Sequence, residues 1–137
     1  WRKYRAIFVG GEVLPYHLAA SEHWLVHYWT AGMDAHSARR EDEARFLADP
    51  TATLGALAWD ALRAIGPRIG LDWCGIDFAC LADGRVLVFE ANATMNIHPE
   101  DGRGPFAYKN PAVNAILDAF EAMLDRTADA PRPDRNP

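Results

Sequence analysis

The sequence lacks several features that would assign it to a membrane or to nucleic acid. None of its apolar runs approaches the roughly 20 residues that span a bilayer, and its first residues, Trp1-Arg2-Lys3-Tyr4, do not resemble a signal peptide. Clustered basic residues are also missing, because 14 Lys and Arg are set against 19 Asp and Glu among 137 residues, a formal charge of −5. Since nucleic-acid surfaces need clustered cations to contact phosphates, we expect neither a nucleic-acid nor a membrane partner.

Cysteine is scarce, and only Cys74 and Cys80 are present. Both lie in one apolar stretch that is predicted to be a strand, where about 3.3 Å per residue keeps them roughly 20 Å apart. A disulfide requires Cα atoms closer than about 7 Å. The sequence therefore predicts two free thiols, which are typical of the reducing cytoplasm.

Composition predicts one folded domain. Half of the residues are hydrophobic and 24% are charged, which is typical of a globular protein. The domain is expected to span residues 1–126 and to be followed by a disordered, Pro-rich tail at residues 127–137. Because the chain starts without Met in what reads as the middle of a strand, we expect it to be a piece of a longer polypeptide. Its oligomeric state is left open.

The first 30 residues are predicted to form three strands. Residues 5–9 and 13–18 flank Gly10-Gly11, which is a hairpin signal. Residues 24–29 are aromatic and β-branched, which favours a third strand, although an amphipathic helix fits nearly as well. Three aromatic side chains in this segment, Trp24, Tyr28 and Trp29, are expected to pack in the core rather than to form a stacking surface.

Helices are predicted in three places. Residues 33–44 read as a surface loop with a short helix, and the alternating charges of residues 41–47 predict a solvent-facing helix surface. Asp49-Pro50 has the chemistry of a helix start, and Asn110-Pro111 repeats it. The apolar stripe of the first of these helices is Leu54, Leu57, Ala61, Ile65 and Ile69, with Gly66-Pro67 interrupting its last turn, and that of the second is Val113, Ile116, Leu117, Phe120 and Leu124.

A second hairpin is predicted around Asp83-Gly84, between the apolar runs 73–81 and 85–91. If the turn has two residues, Ala82 faces Arg85 and Asp77 lies opposite Glu90. If the loop instead has three residues, Phe89 lies opposite Asp77, and a bulge is needed to bring the two acids back together.

The faces of this hairpin are predicted to differ in polarity. In the two-residue case, Asp77, Glu90 and Asn92 share one face with Ala79, Leu81, Val86 and Val88. The opposite face is wholly apolar and is expected to pack on helices; it consists of Cys74, Ile76, Phe78, Cys80, Leu87 and Phe89. The acids' face is too apolar for open solvent, which favours the floor of a cleft, while ordinary solvated positions for the two acids stay open as the alternative.

The polar residues of the hairpin could bind a metal ion. Two carboxylates and an amide, with no Cys or His among them, suit a hard cation, Mg²⁺ or Mn²⁺ in its place. Three protein oxygens leave several positions of the ion to water or phosphate oxygens.

Gly75-Ile76-Asp77-Phe78, followed after the Asp-Gly turn by Val86-Leu87-Val88-Phe89-Glu90-Ala91-Asn92, resembles the C-terminal metal-binding hairpin of the ATP-grasp superfamily, in particular glutathione synthetases and ribosomal-protein glutamate ligases. The resemblance implies an α+β fold, a mostly antiparallel sheet with flanking helices. It implies that Asp77, Glu90 and Asn92 hold Mg²⁺ on the phosphates of ATP, and that Arg5 reaches the phosphates as a catalytic residue. It further implies that Ala79 and Phe89 cover the adenine.

The same resemblance implies an activity and its limits. The parent protein would be an ATP-dependent carboxylate-amine or carboxylate-thiol ligase that works through an acyl phosphate, with ATP and a small carboxylic acid as its partners. The family's lysines, Gly-rich loop and adenine hinge precede this segment, so the 137 residues would supply about half of the ATP site and be inactive alone. Gly75 stands where D-alanine:D-alanine ligases carry an Arg, which disfavours that subgroup. A non-catalytic binding or scaffold module of a larger protein is the alternative.

Replacing Asp77 by Ala is expected to abolish turnover with little effect on folding.

The remaining candidates are polar residues near this site. Asn96 and His98 follow the hairpin in the loop that faces substrate in the family, or else serve the turn before Pro99. His17, His23 and His27 could form a transition-metal cluster, but no Cys or further ligand accompanies them, so we expect them to line the sheet surface beside the substrate region.

Overall fold

Four antiparallel strands form one sheet in the order β2-β1-β3-β4. The computed structural model describes residues 1–128, and its strands are β1 (Arg2–Val9), β2 (Glu12–Ala20), β3 (Trp73–Cys80) and β4 (Val86–Asn92). The helices are α1 (Ser37–Ala48), α2 (Pro50–Leu54), α3 (Ala56–Ile69) and α4 (Asn110–Ala128). The predicted α+β class, an antiparallel sheet with flanking helices, is confirmed.

The sheet is covered on both faces. Tyr4, Phe8 and Ile76 are buried against Phe46 of α1 and Leu62 of α3 in one cluster. On the other face, β1 packs against α4 and the segment that follows β4, in a cluster of Ile7, Val9, Tyr16, Met95, Val113, Ile116 and Met123. Alternate residues of β1 therefore belong to different cores, as the two-residue period of a strand requires.

The hairpin between β1 and β2 is the one predicted from Gly10-Gly11. Both glycines have positive φ angles, 54° and 92°, which side chains other than glycine rarely adopt. Val9 pairs with Glu12 directly across the turn. These two glycines therefore set the register with which β2 returns along β1.

The predicted strand at residues 24–29 is wrong. The segment is a loop that ends in a short 3-10 helix, Tyr28–Thr30, and Val26 alone is deeply buried in it. Trp24 and Trp29 are 76% and 77% exposed, so the expectation that they pack in the core is also wrong. The reason is that the segment crosses one face of β2, packing Val26 near Ala19, instead of pairing along the strand's edge.

The solvent-facing helix predicted at residues 41–47 is also corrected. Helix α1 begins earlier, at Ser37, and both Glu43 and Phe46 are fully buried in it. The charge pattern is misleading because Glu43 lies inward, where three hydrogen bonds satisfy it. A buried acid with several donors is compatible with a folded core.

One long helix from Asp49 to Ile69 was expected, but Gly55 divides it into α2 and α3. Asp49 caps α2 as predicted, since its Oδ1 accepts the Ala52 N–H at 2.8 Å. Gly55 then takes a φ of 86°, and the helical frame restarts. As a result Leu57 is 65% exposed, whereas Ala58, Trp59 and Leu62 are buried. The Gly66-Pro67 pair does not end α3, which continues to Ile69.

Helix α4 differs from its prediction in three details. Its Asn110 side chain does not cap the helix but bonds the backbone of Glu100, accepting from N at 2.8 Å and donating to O at 3.1 Å. Val113 and Ile116 are buried as expected, while Leu117 and Leu124 are 40% and 50% exposed. The helix runs two residues past the expected domain end at 126, and residues 129–137 of the predicted disordered tail lie outside the described residues.

Two further expectations concern cysteine and membranes. Cys74 and Cys80 are both free thiols, as predicted. Within residues 1–128 no helix combines the length and the apolar character that a membrane span requires.

We predict that Leu62→Ala destabilises the fold by about 2–4 kcal/mol, because the side chain is fully buried between α3 and the sheet. Leu57→Ala, the same substitution five residues earlier in α3, should change stability by less than about 0.5 kcal/mol. Urea unfolding followed by circular dichroism measures both. Equal losses of stability in the two variants would contradict the described orientation of α3. They would favour the apolar stripe predicted from the sequence, in which Leu57 is buried.

Candidate functional site

The loop between β3 and β4 has three residues, 82–84. Leu81 N donates to Arg85 O at 2.8 Å, and Gly84 N donates to Leu81 O at 2.9 Å. Gly84 takes a φ of 81°. The two-residue turn with Ala82 facing Arg85 was therefore wrong, and the three-residue alternative applies.

A bulge returns the two acids to the same register. Phe78 pairs with Val88, yet Asp77 pairs with Glu90, which leaves Phe89 as the extra residue on β4. Beyond the bulge Gly75 pairs with Asn92. The pairing expected for the metal site thus exists, and it depends on the bulge that the three-residue loop was expected to require.

The three-residue loop also shifts the part of β4 between the loop and the bulge by one position. The side chains of this part therefore lie on the faces opposite to those predicted. Val86 pairs with Cys80 and packs against the core beneath α1–α3. Leu87 pairs with Ala79 on the face of Asp77 instead. The prediction that Leu87 and Phe89 pack on helices is therefore wrong, and the two side chains are 48% and 53% exposed. A slip of one residue reverses every side chain on a strand.

One row of polar side chains crosses all four strands. His17 pairs with Arg5, Arg5 pairs with Asp77, and Asp77 pairs with Glu90. Directly paired residues of antiparallel strands share a face, so the row lies on the face opposite α1–α3. A second bulge, at Tyr16 between His17 and Pro15, flanks the row on the other edge strand. Bulges are enriched beside functional sites because they redirect side chains.

Asp77 is the centre of this row and is held by two cations. Arg5 donates from Nε to Oδ1 at 2.5 Å and from a terminal nitrogen to Oδ2 at 2.9 Å, and Lys3 Nζ lies 2.9 Å from Oδ2. Asp77 is only 3% exposed. Burial raises the pKa of its carboxyl, but the bonds from Arg5 and Lys3 outweigh burial and leave the pKa below its ordinary value. The carboxylate is therefore ionised and neutralised by the protein itself.

The other residues implied by the resemblance are more open. Glu90 is exposed and forms no hydrogen bond or ion pair with the residues that the structure describes. Asn92 Oδ1 accepts from both N and Oγ1 of Thr94 at 2.8 Å. Ala79 is half-buried, and Phe89 is exposed beside the acids.

The side chains of Asp77, Glu90 and Asn92 fit a hard cation by their chemistry, although Asp77 is already bonded to Arg5 and Lys3. The three side chains carry only oxygen ligands on neighbouring strands, which suits Mg²⁺. Asp77, however, would have to exchange Arg5 or Lys3 for the ion. No cluster of three or more His, Cys, Asp or Glu side chains suited to a metal occurs among residues 1–128. His17, His23 and His27 therefore do not form the transition-metal cluster that was considered as an alternative.

Gly75 has no room for a side chain. A Cβ at this position would lie 2.4 Å from Cγ and 2.7 Å from Cβ of Met95, and 3.1 Å from Cδ1 of Ile7. Met95 begins the loop that follows β4 and is itself buried. The loop therefore rests directly on the sheet backbone beside the Gly75–Asn92 pair.

A pocket of about 640 Å³ opens beside the row, on the β1–β2 side. Lys3, Arg5 and His17 line it from the sheet. Opposite them lie side chains of the loops, which comprise His27, Tyr28, Trp29, Met33, Asn96, His98 and Phe106. Asn96, His98, His17 and His27 thus border this cavity, whereas His23 does not.

Sequence reasoning did not find the buried polar cluster behind this pocket. Lys109 is 2% exposed and lies 3.0 Å from Glu100 and 4.0 Å from Glu43. Glu43 accepts hydrogen bonds from Leu18 N, Tyr28 and Tyr108. Burial raises the pKa of Glu43 despite the opposing effect of Lys109. The available signal was that Lys109 is one of only two lysines in the chain.

Comparisons with protein-family models, curated proteins and solved structures gave no match to this chain. The resemblance to the ATP-grasp superfamily therefore depends on residues of the sequence alone.

The contacts of Asp77 change the expectation that its loss leaves folding unaffected. We predict that Asp77→Asn destabilises the fold by about 3 kcal/mol at pH 7, because Arg5 and Lys3 lose a buried counter-charge. Since the folded pKa of Asp77 lies below its unfolded value, its contribution is present above the unfolded pKa and disappears as the pH falls through the folded one. The gap between wild type and variant should therefore narrow on acidification.

Urea unfolding at a series of pH values measures this gap. Asp60→Asn is the matched control, because Asp60 forms an exposed pair with Arg63 on α3 and should change stability by less than about 0.5 kcal/mol. A gap for Asp77→Asn that is absent at pH 7, or that widens in acid, would contradict the described ion pairs.

Proposed function

We propose that this chain forms the C-terminal part of an ATP-grasp ligase that joins a carboxylic acid to an amine or a thiol. The observation that supports the proposal most is the register of Asp77 with Glu90 across the bulged hairpin, with Arg5 bonded to the same Asp77. Two acids in direct opposition are unfavourable unless a cation accompanies them. Arg5 and Lys3 are such cations for Asp77, and a metal-bound nucleotide would supply one for Glu90 as well.

The charges at the site allow a simple exchange on nucleotide binding. Arg5 and Lys3 both contact Asp77 through groups with further N–H donors, three on the guanidinium and two on the ammonium. On binding of a nucleotide, these donors can turn to phosphate oxygens while Asp77 becomes a metal ligand. Glu90 is already free to bind. Asn92 Oδ1 could bind the ion once the Thr94 hydroxyl turns away from it, while the bond from Thr94 N remains.

The proposed reaction requires no nucleophile from the protein. A substrate carboxylate attacks the γ-phosphate, ADP leaves, and the amine or thiol then displaces phosphate from the acyl phosphate. Mg²⁺ would neutralise the phosphate charge when bound. The chain's own contribution is to position the phosphates through Arg5 and to bury the site with Ala79 and Phe89 over the adenine. The partner segments that complete the ATP site belong to the proposed parent, whose two free cysteines fit a cytoplasmic protein.

The non-catalytic alternative has one observation in its favour. Asp77 is fully satisfied by Arg5 and Lys3 without any metal. A binding or scaffold module that kept the fold would retain these ion pairs as structural elements and would have no need for Glu90.

We predict that Mn²⁺–ATP broadens the amide signals of residues near Asp77, Glu90 and Asn92 in the ¹⁵N NMR spectrum of this chain. Paramagnetic broadening detects binding in the millimolar range, which suits half of a nucleotide site. Glu90→Gln should weaken the effect about tenfold, because it removes one charged ligand from an exposed position without removing a described contact.

Glu12→Gln is the control, since Glu12 is an exposed acid at the start of the opposite edge strand. Localised broadening that Glu90→Gln reduces and Glu12→Gln does not would support the ligase proposal. Broadening that is absent, or that is unchanged in Glu90→Gln, would favour the non-catalytic module.

A further inference from the structure

The pocket beside Arg5 has a positive end. Lys3 and Arg5 line it, and together they share the single carboxylate of Asp77. Each cation is 19% exposed at its side chain and keeps N–H groups that Asp77 does not use. Lys3 and Arg5 carry one more charge than Asp77, and Glu90, the next acid in the row, contacts neither cation and does not line the pocket. This end of the pocket therefore favours an anionic group in a partly desolvated place.

Two carboxylates line the pocket among the described residues, those of Glu100 and Asp34. Glu100 is already bound to Lys109 at 3.0 Å. Asp34 is in no ion pair there but is exposed to solvent, which screens its attraction for a cation of the ligand. An ammonium group on the carbon next to the ligand's carboxylate would lie near Lys3 and Arg5, which is unfavourable.

Another part of the pocket lining is aromatic. Tyr28, Trp29 and Phe106 line it, and the Tyr28 ring is fixed by stacking on His17 with centroids 4.7 Å apart. Trp29 meets Tyr28 edge-on, yet 77% of it is exposed. Its indole face is therefore available to a planar ligand.

His17 gives an independent sign of a ligand. It lines the same pocket, is 6% exposed, and its Nε2 is buried without a hydrogen-bond partner among the described residues. Burial, together with Arg5 and Lys109, holds the pKa of His17 well below its ordinary value, so the ring is neutral. A neutral imidazole with an unsatisfied nitrogen can bond a ligand's polar group without adding charge.

We propose that this pocket binds an aromatic carboxylic acid that has no α-ammonium group, with its carboxylate at Lys3 and Arg5 and its ring against the exposed indole face of Trp29. The volume of about 640 Å³ accommodates one or two fused rings. If the chain is part of a ligase, this acid would be its carboxylic-acid substrate, and that role rests on the proposed function. The binding of the acid does not.

Isothermal titration calorimetry of the 137-residue chain tests the proposal with three matched probes. Indole-3-acetate should bind, and indole-3-acetamide should bind about tenfold more weakly because it lacks the charge. L-tryptophan should also bind about tenfold more weakly, because its ammonium would lie near Lys3 and Arg5. Equal affinity for the acid and the amide, stronger binding of tryptophan, or no binding of indole-3-acetate in the millimolar range would each overturn the proposal.

A pair of tryptophan variants tests the location. Trp29→Ala should weaken indole-3-acetate binding about threefold or more, because it removes the stacking face. Trp24→Ala changes an equally exposed tryptophan that does not line the pocket and should leave the affinity unchanged. Equal effects of the two substitutions on affinity would refute the assigned site.

Neither titration contains ATP or metal. A failed Mn²⁺–ATP experiment together with selective acid binding would therefore reject the ligase proposal alone.

Discussion

The ion pairs of Asp77 with Arg5 and Lys3 are the contact on which the rest of the site depends. Asp77 lies at the centre of a sheet that is covered on both faces, where an unpaired carboxylate would cost several kcal/mol. The two cations come from β1, the strand next to it, so a single antiparallel pairing supplies acid and counter-charge together. Their remaining donors face the pocket, which links the stability of the sheet to the chemistry beside it.

Two bulges shape the surface around this contact. One leaves Tyr16 unpaired on β2 and the other leaves Phe89 unpaired on β4. Each lies next to one end of the row from His17 to Glu90. On β2 the bulge lets Tyr16 and His17 both line the pocket, and on β4 it restores the opposition of Asp77 and Glu90.

Much of the fold could be predicted because its signals are local. The two hairpins follow from glycine-containing turns, and α2 begins at Asp49-Pro50 because of cap chemistry within three residues. The register of the second hairpin could not be fixed in the same way. Whether the loop has two residues or three depends on a bulge at Phe89, seven residues from the loop's start at Ala82, and nothing in the local sequence decides between them.

The candidate site was predicted for the residues of one hairpin and not for those that several segments bring together. Asp77 and Glu90 could be paired by counting along two strands, although the count assumed a two-residue turn and holds only because the bulge at Phe89 offsets the third loop residue. Lys3 as a partner of Asp77, and the burial of Glu43 with Lys109, depend on contacts across 74 and 66 residues of sequence. Trp24 and Trp29 were placed in the core because apolar character does not reveal whether a segment pairs along a strand or crosses a sheet.

The absence of a side chain at Gly75 has a consequence for how such a pocket can diversify. The Met95 side chain packs directly against the backbone of Gly75. The size of the residue at position 75 therefore sets the distance between the strands and the loop that follows β4. Asn96 and His98 are carried by this loop at the mouth of the cavity. A side chain at position 75 would push this loop away from the sheet and move Asn96 and His98 together. A single substitution outside the pocket could therefore change the pocket's depth during evolution.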